Sequence, residues 1–491
     1  MGIVYIRAFF LVFILGIFAT NTLTTPFWRI THDATVVHYV AMLVDQFDRV
    51  PYLEIFDTAM PGAILFHIFI GKIFGYTEQA LQFMNFILIL ILFVLNLSIL
   101  KDFRWTGRLA GAVFFLVVYQ SFGQEMSLER DFIGSFFLIL ALYFSQRLQS
   151  SFFQLTMIGL CCGMASVIKP QFVIMLPVFI FFSRGSFFKN IFKSAVFASL
   201  PHIISLTWLF FSGGWEYFWW MQKNYLPYYL QIGHDLYYFD TFLERIIHNL
   251  KAFFYLVPYW RLSFFILVFG GFLGWKKNKR FVLLIVLLCL CSFFTLIISG
   301  QYFPYHFLTF FCFCYYLVSY FFDDNRYRNF SVFSFLLMFL MIFGHFPKET
   351  HTFLMGEQKH IVKEGRVDRL IHSIKKNYQK GDTIQVFDWV DGATTHALMN
   401  LKLPHSGRFI TDHLFKHHLH LETQQEIINS FFSSLKESKP NLIIKSLDHN
   451  YPKGDFSSSE LPENFLDFIS LNYQVIHSDP KFIIYRLNED L

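Results

Sequence analysis

Long apolar runs recur from the N-terminus to about residue 346, and they restrict this 491-residue chain more than any other feature. Hydrocarbon offers the backbone no hydrogen-bond partner, so a run that crosses about 30 Å of lipid must be helical. With 55% hydrophobic and only 15% charged residues, the composition lies outside that of ordinary soluble domains. The sequence therefore predicts a polytopic α-helical membrane protein.

The positions of Lys and Arg predict the direction of each crossing, because short cytoplasmic loops are enriched in both residues. The runs predict about eleven crossings, near residues 4–20, 79–100, 108–124, 132–146, 152–168, 171–183, 195–212, 256–275, 281–300, 303–322 and 329–346. The short run 62–74 contains Lys72 and is interpreted as a juxtamembrane helix. The basic clusters near residues 101–108, 184–193, 276–280 and 326–328 then all lie in the cytoplasm. This topology places the N-terminus inside and the C-terminal region outside, with an uncleaved first helix.

The chain is predicted to contain a membrane domain, residues 1–346, with a first external loop at 21–78. Residues 347–491 return to a polar composition and are predicted to form an external α/β accessory domain. Its predicted strands are 383–390, 441–446, 473–478 and 482–487, and its predicted helices are about 391–400, 422–438 and 463–472. No glycine-rich phosphate loop or nucleophile elbow accompanies these strands.

Several other patterns carry little functional information. All six cysteines lie inside apolar runs, as small buried side chains do, so neither a disulfide framework nor a zinc site is indicated. The net charge of +5 comes largely from loops, and the aromatic residues are predicted to face lipid, so no nucleic-acid partner is expected. The histidine-rich tract 409–420 fits a solvated helix or loop at least as well as a metal site.

The unusual polar residues are predicted to meet on the external side of the membrane. They lie in the first loop, at 124–131, at Lys169, in the aromatic loop 213–250 and at 301–306. Each also has a structural explanation. Asp33 is placed to cap an amphipathic helix, 36–47, that could lie on the membrane surface. Arg130 could form a local ion pair, Lys169 could snorkel, and His306 and the tryptophans of 215–230 could be interfacial anchors.

The order of these motifs resembles the GT-C superfamily of polyprenyl-phosphate-sugar-dependent glycosyltransferases. Asp33, Tyr39, Pro51-Tyr52 and the D-x-x-x-P-G of Asp57 to Gly62 look like the family's first loop. Further matches in order are G-Q-E-M-S-L-E-R-D (123–131), S-V-I-K-P (166–170) and Q-Y-F-P-Y-H (301–306). The pattern is similar to bacterial protein-mannosyltransferase-like and aminoarabinose-transferase-like enzymes. It departs from many members at Asp33-Ala34, where they carry Asp-Glu or Glu, and at Ala59-Met60-Pro61-Gly62, where they carry Pro-Pro.

The resemblance implies sugar transfer, a reaction that requires a proton acceptor and positive charge near the leaving group. A carboxylate accepts the proton of the acceptor hydroxyl, and cations stabilise the phosphate that leaves. Asp33 is predicted to be the base, and Arg130, Lys169 and His306 are candidates for binding the phosphate. Glu129 and Asp131 could orient the acceptor, hold Arg130 or join a divalent metal, whose presence stays open. Asp57 and Tyr305 are added as substrate-binding residues from the matching motifs.

The expected activity is hexosyl or pentosyl transfer with inversion, at a bacterial inner membrane with the C-terminal domain in the periplasm. The expected partners are a polyprenyl-phosphate-linked donor, membrane lipid and a glycan, lipid or protein acceptor. A flippase for a lipid-linked sugar is a second class, although no internal repeat is seen. An O-antigen ligase or polymerase type of enzyme and a non-catalytic sensor or scaffold complete the alternatives.

Overall fold

The computed structural model describes residues 2–30, 33–148, 151–230, 239–256, 259–299, 303–323, 365–387, 392–410, 422–447 and 463–488. The helices of the N-terminal two thirds are α1 (Gly2–Thr24), α2 (Asp33–Gln46), α3 (Pro61–Phe74), α4 (Glu78–Ile99), α5 (Trp105–Ser121), α6 (Arg130–Arg147), α7 (Ser151–Ile168), α8 (Met175–Phe181), α9 (Phe187–Phe211), α10 (Trp215–Trp220), α11 (Leu226–Tyr229), α12 (Phe242–Leu256), α13 (Trp260–Phe265), α14 (Gly271–Trp275), α15 (Lys279–Ser299), α16 (Leu308–Cys314) and α17 (Val318–Asp323). The later helices are α18 (Arg366–Asn377), α19 (Ala393–Leu401), α20 (Glu422–Ser438) and α21 (Glu463–Asn472), and the strands are β1 (Ile384–Phe387), β2 (Leu442–Ser446), β3 (Tyr473–Asp479) and β4 (Phe482–Leu487).

The structure confirms a polytopic α-helical membrane protein with a small C-terminal α/β region. Within the described residues, five helices are long and apolar enough to cross a bilayer: Ala8–Phe27, Glu78–Ile99, Phe187–Phe211, Lys279–Ser299 and Pro304–Asp323. Shorter apolar helices, such as Phe152–Ile168 and Trp260–Trp275, coincide with other predicted crossings. The predicted crossing 329–346 lies outside the described residues, so the count of about eleven stays a prediction.

Contacts between residues divide the chain into two compact units. The membrane unit consists of Met1–Ile30, Leu81–Ser205 and Leu243–Gln358. The loop–tail unit consists of Thr31–Ala80, Leu206–Phe242 and Lys359–Leu491. Most of the predicted first external loop, most of the aromatic loop and the C-terminal region therefore belong to one unit. The predicted domain boundary at residues 346 and 347 lies outside the described residues.

The C-terminal region is built on a four-stranded sheet of order β1-β2-β4-β3. β1 and β2 are parallel, whereas β4 is antiparallel to both of its neighbours. Runs such as Leu442–Ile444 are apolar and mostly β-branched, which favours buried strands, and these residues are buried. The four predicted strands and the three predicted helices are found, while α18 was not predicted.

Helix α2 is present as predicted, but its apolar stripe does not lie on a membrane surface. Nine of its residues are buried, because α2 packs against α3 and against α19 of the C-terminal region. The Tyr39 hydroxyl donates to the Leu403 carbonyl at 3.0 Å. Gly392 has φ +58°, and a Cβ there would lie 2.5 Å from the Val36 side chain, so only glycine fits this contact. The amphipathic pattern therefore reflects burial inside the loop–tail unit.

The first loop and the aromatic loop meet around Arg408. The Phe56 amide donates to the Arg408 carbonyl at 2.8 Å. The Arg408 guanidinium lies 5.3 Å from the Phe56 ring and 5.6 Å from the Tyr217 ring, which is cation–π range. Its Nη2 also donates to the Tyr52 carbonyl at 3.0 Å. One arginine of the C-terminal region thus contacts both loops.

His405 joins the same framework to the edge of the sheet. Its Nδ1 bonds to the Gly407 carbonyl at 2.8 Å, and its Nε2 accepts the Val386 amide at 3.2 Å. This pairing requires the neutral ring with the proton on Nδ1. The pKa of His405 is lowered from 6.5 to about 4, because burial and the positive charge of Arg49 together outweigh the Gly407 hydrogen bond, which raises it.

This burial predicts that the loop–tail unit loses stability in mild acid. The unfolded chain binds a proton at His405 near the model value of 6.5, whereas the folded chain does so only at about 4. The stabilisation is therefore complete above about pH 6.5 and falls as the pH approaches 4, by up to about 3 kcal/mol. His38, whose pKa burial also lowers to about 4, adds to the same window. The melting temperature measured in detergent should therefore fall as the pH is lowered from about 6.5 to about 4.

The variant His405→Gln removes one titrating group and should flatten the pH dependence of the melting temperature between about pH 7 and about pH 4.5. The control is His372→Gln on α18, where the histidine is exposed. The control should keep the wild-type slope. Equal slopes in all three proteins would exclude His405 as the source.

Candidate functional site

The candidate site begins at the N-terminus of α6. Glu129 precedes the helix, and its carbonyl accepts the amides of Phe132 at 2.9 Å and Ile133 at 3.1 Å. Asp131 therefore lies in the first turn, where the helix dipole favours a negative charge. Glu129 and Asp131 are buried, and Arg130 between them is half-buried.

Lys169 reaches the same place from the end of α7. Its amide continues the helix by donating to the Ala165 carbonyl at 3.0 Å, and Pro170 then ends the helix because proline has no amide to donate. The Lys169 backbone turns to the extended region, at φ −138°. Its Nζ donates a short hydrogen bond to Asp131 Oδ2, so the two side chains form a buried ion pair.

His306 completes the cluster from the 3₁₀ turn Pro304–Phe307. Its Nδ1 lies 3.0 Å from Lys169 Nζ and 3.2 Å from Asp131 Oδ2. The side chains of Lys169, Asp131 and His306 are 11%, 4% and 9% exposed. Nδ1 either accepts a hydrogen bond from the ammonium or, when it carries a proton, donates one to the carboxylate. A carboxylate, an ammonium and an imidazole from distant parts of the sequence thus share one buried contact.

Two further charges lie within electrostatic range of this cluster. Both Arg130 and Glu129 act on the Lys169 ammonium, with opposite signs. The formal charges of Glu129, Arg130, Asp131 and Lys169 cancel, so burial of the group does not require a net charge in an apolar environment. Arg130 is the most exposed of the four, which makes it the cation best placed to meet an arriving anion.

Tyr305 lies beside the cluster in an aromatic stack. Its ring centroid is 4.4 Å from the His306 ring and 5.7 Å from the Phe303 ring, nearly parallel to the latter at 4°. Tyr305 is buried, so its ring supports the imidazole. Gln301 and Tyr302 of the same motif lie outside the described residues.

Asp33 and Asp57 belong to the loop–tail unit. Asp33 is the first residue of α2 and is half-buried. Asp57 Oδ1 accepts the Ala59 amide at 2.9 Å and thereby shapes the turn before α3. The Tyr52 hydroxyl donates to the Ala59 carbonyl at 2.7 Å in the same turn. The structure thus gives Asp57 a local role in orienting the loop backbone.

The donor set does not form a metal site in the part of the chain that the structure describes. No group of three or more His, Cys, Asp or Glu side chains in these ranges converges as metal ligands do. The Asp131 carboxylate is already matched by the Lys169 ammonium.

Sequence reasoning missed Tyr119 and Asn85, which are joined by hydrogen bonds to Leu128, the residue before Glu129. The Tyr119 hydroxyl accepts the Leu128 amide at 3.1 Å and donates to Asn85 Oδ1 at 2.6 Å. The available signal was the spacing of Gln82 and Asn85, two polar residues three positions apart in an apolar helix. Such residues inside a membrane helix mark polar contacts.

The architecture is that of a membrane protein with the GT-C fold. It is similar, over 97% of both chains, to the crystal structure of ArnT from Cupriavidus metallidurans bound to undecaprenyl phosphate, with 10% sequence identity and a TM-score of 0.57. It is also similar to the oligosaccharyltransferase of Archaeoglobus fulgidus, with 11% identity, a TM-score of 0.51, and coverage of 88% of this chain and 69% of that one. The same archaeal protein, AglB, in complex with an inhibitory peptide and a dolichol-phosphate gives 10% identity and the same TM-score and coverage. No protein-family model and no curated protein sequence matches the chain.

The buried ion pair leads to a stability prediction. Asp131→Asn should destabilise the membrane unit by about 3–5 kcal/mol, because the Lys169 ammonium loses its counter-charge. The double variant Asp131→Asn/Lys169→Met should recover a large part of that loss. Thermal unfolding in detergent measures both.

The matched control is Asp323→Asn. Asp323 pairs with Lys277 at 3.0 Å, but this lysine side chain is 33% exposed, so the loss should be smaller, about 1 kcal/mol. A single Asp131→Asn variant as stable as the wild type would show that Lys169 does not depend on Asp131.

Proposed function

We propose that this protein is a membrane glycosyltransferase that transfers a sugar from a polyprenyl-phosphate donor of the undecaprenyl-phosphate type to a hydroxyl of an envelope acceptor. The main support is the buried cluster of Asp131, Lys169 and His306 beside Arg130. A cluster of cations with fixed counter-ions suits a phosphate that gains charge as it leaves. The fold adds support, since ArnT is bound to undecaprenyl phosphate and AglB to a dolichol-phosphate in their structures.

In the proposed reaction the acceptor oxygen forms a bond to the anomeric carbon while the bond from that carbon to the phosphate oxygen breaks. Asp33 takes the proton of the acceptor hydroxyl, and the electron pair of the broken bond stays on the lipid phosphate. A single displacement of this kind inverts the anomeric centre. The product is a lipid phosphate together with the glycosylated acceptor.

The cations have distinct proposed roles. Arg130 is the phosphate ligand, because its half-buried guanidinium can bind two phosphate oxygens at once. Lys169 is held by Asp131 and adds a second positive charge, while His306 contacts both. Glu129 and Asp131 then serve to hold the cations in place. Asp57 contributes to substrate binding by fixing the loop backbone at Ala59. Tyr305 contributes by packing against the His306 ring.

The proposed setting is a plasma membrane, the inner membrane of a bacterium, with the loop–tail unit on the external side. The basic loops of the membrane unit support this orientation through the enrichment of Lys and Arg on the cytoplasmic side. The acceptor is then a glycan, a lipid or a protein of the envelope.

The test compares envelope glycans, lipids and glycoproteins by mass spectrometry in a deletion strain and in strains restored with wild-type or variant chains. One sugar-sized mass should disappear on deletion and return with the wild type. Asp33→Asn should lower the transfer rate by about 10²–10⁴-fold, because it removes the base. Arg130→Gln should also lower the rate and weaken donor binding.

The control is Asp48→Asn, at equal expression. Asp48 is exposed and has φ +53°, a conformation that asparagine tolerates as well as aspartate, so this variant should restore the mass fully. Full restoration by Asp33→Asn would exclude Asp33 as the base. If the deletion strain instead accumulates lipid-linked sugar and no acceptor has lost the sugar, a flippase is favoured.

A further inference from the structure

A chain of four hydrogen bonds inside the membrane unit runs from the Arg29 carbonyl to the Leu128 amide, next to the candidate site. Gln82 Nε2 donates to the Arg29 carbonyl at 2.8 Å, and Asn85 Nδ2 donates to Gln82 Oε1 at 3.2 Å. The Tyr119 hydroxyl donates to Asn85 Oδ1 at 2.6 Å, and the Leu128 amide donates to the Tyr119 oxygen at 3.1 Å. The side chains of Gln82, Asn85 and Tyr119 each donate one of these bonds and accept another. This set of bonds is called the Tyr119 relay below.

The relay ends at a backbone conformation that needs support. Leu128 has φ +59°, in the left-handed region that a branched side chain such as leucine rarely adopts. The residue is fully buried, so its amide must find a partner inside the protein. The Tyr119 hydroxyl is that partner. Because the Tyr119 hydroxyl directs its hydrogen to Asn85 Oδ1 in a hydrogen bond, a lone pair of the hydroxyl oxygen is free to accept the Leu128 amide.

Tyr119 also holds the other side of the same turn. Its ring stacks on Phe132 with centroids 4.0 Å apart and planes 3° from parallel. The residues between these two contacts are Glu129, Arg130 and Asp131. One side chain therefore fixes the backbone before them and the first turn of α6 after them.

We propose that Tyr119, oriented by Asn85, is a positioning residue that holds the 128–131 segment in the conformation in which Arg130 meets the donor phosphate. This inference rests on the proposed function for the identity of the anion. It extends that function to residues that touch neither substrate. The phenylalanine variant, Tyr119→Phe, keeps the ring stack and removes only the hydroxyl.

The chain offers a matched control for this variant. The Tyr316 hydroxyl donates to Asn96 Oδ1 in the same membrane unit, so Tyr316→Phe also removes a buried tyrosine hydroxyl from an asparagine. Asn96 Nδ2 bonds to the Ala112 carbonyl at 3.1 Å, seven residues before Tyr119 along α5. Ala112 and Tyr119 are therefore about 10 Å apart along the helix axis, at the rise of an α-helix. Tyr316→Phe thus tests the general cost of losing such a hydroxyl.

Two measurements use the full-length protein in nanodiscs. The first is hydrogen–deuterium exchange of the peptide that covers residues 123–131, where Tyr119→Phe should speed the exchange of the Leu128 amide by roughly tenfold. The second is the affinity for undecaprenyl phosphate as the probe, which should fall by about tenfold to a hundredfold, as for other losses of an orienting contact. Tyr316→Phe should leave both unchanged.

Asn85→Leu provides an independent variant, since it removes the group that orients the hydroxyl. It should speed the same exchange, and the double variant with Tyr119→Phe should bind no more weakly than Tyr119→Phe alone, because both changes break one relay. A merely structural role would lower the yield of folded protein without this localised exchange or this non-additivity.

The outcomes separate the two proposals. If Arg130→Gln weakens the binding of undecaprenyl phosphate and Tyr119→Phe does not, the positioning role is overturned. Unchanged exchange at 123–131 in Tyr119→Phe would overturn it as well. If the wild type neither binds undecaprenyl phosphate nor transfers a sugar, the proposed function fails, and the exchange data alone then decide whether the relay orders the turn.

Discussion

The ion pair between Asp131 and Lys169 is the contact on which the membrane unit is organised around its candidate site. Neither charge could be buried alone, because desolvation of an isolated ion costs several kcal/mol even after the protein relaxes. The pair joins the start of α6 to the end of α7, and His306 brings in the turn before α16. Pro170 and Pro304 mark the two ends from which Lys169 and His306 project. Three segments far apart in sequence are thus held together by charge as well as by apolar packing.

A different constraint organises the loop–tail unit, where polar groups of the first loop form hydrogen bonds with the C-terminal region. Tyr39 bonds to the Leu403 carbonyl across a separation of 364 residues, and Phe56 pairs with Arg408. Closing such long loops carries an entropic cost that is recovered only once the partner segment is present. The hydrogen bonds that join the first loop to the tail can therefore form only when the tail is present. This makes the tail part of the framework that carries Asp33 and Asp57, and a separately folding appendage would not have these contacts.

The features that could be predicted from sequence are those set by composition and local pattern. Apolar runs predicted the membrane helices, and β-branched runs predicted strands such as β2 within a residue of their bounds. The topology predicted from Lys and Arg also placed Asp131, Lys169 and His306 on one side of the membrane, and the structure brings their side chains into contact. Pattern could not show which polar groups pair. Tyr119 and Tyr316 are both tyrosines in apolar runs, and only the three-dimensional contacts show that Tyr119 accepts the Leu128 amide, whereas Tyr316 bonds to Asn96. The amphipathic stripe of α2 was equally ambiguous, since protein and lipid both bury apolar residues.

The balance of charges at the site bears on how an anion would be stabilised there. Lys169 already has a counter-ion, so it needs no rearrangement of solvent or side chains when negative charge develops nearby. Preorganised charges of this kind contribute more than charges that must first be oriented. His306 Nδ1 lies within hydrogen-bond distance of both Lys169 Nζ and Asp131 Oδ2, so a third segment of the chain restrains the two charged groups. The counter-charge that permits the Lys169 ammonium to be buried thus also keeps that ammonium fixed beside the position proposed for the phosphate.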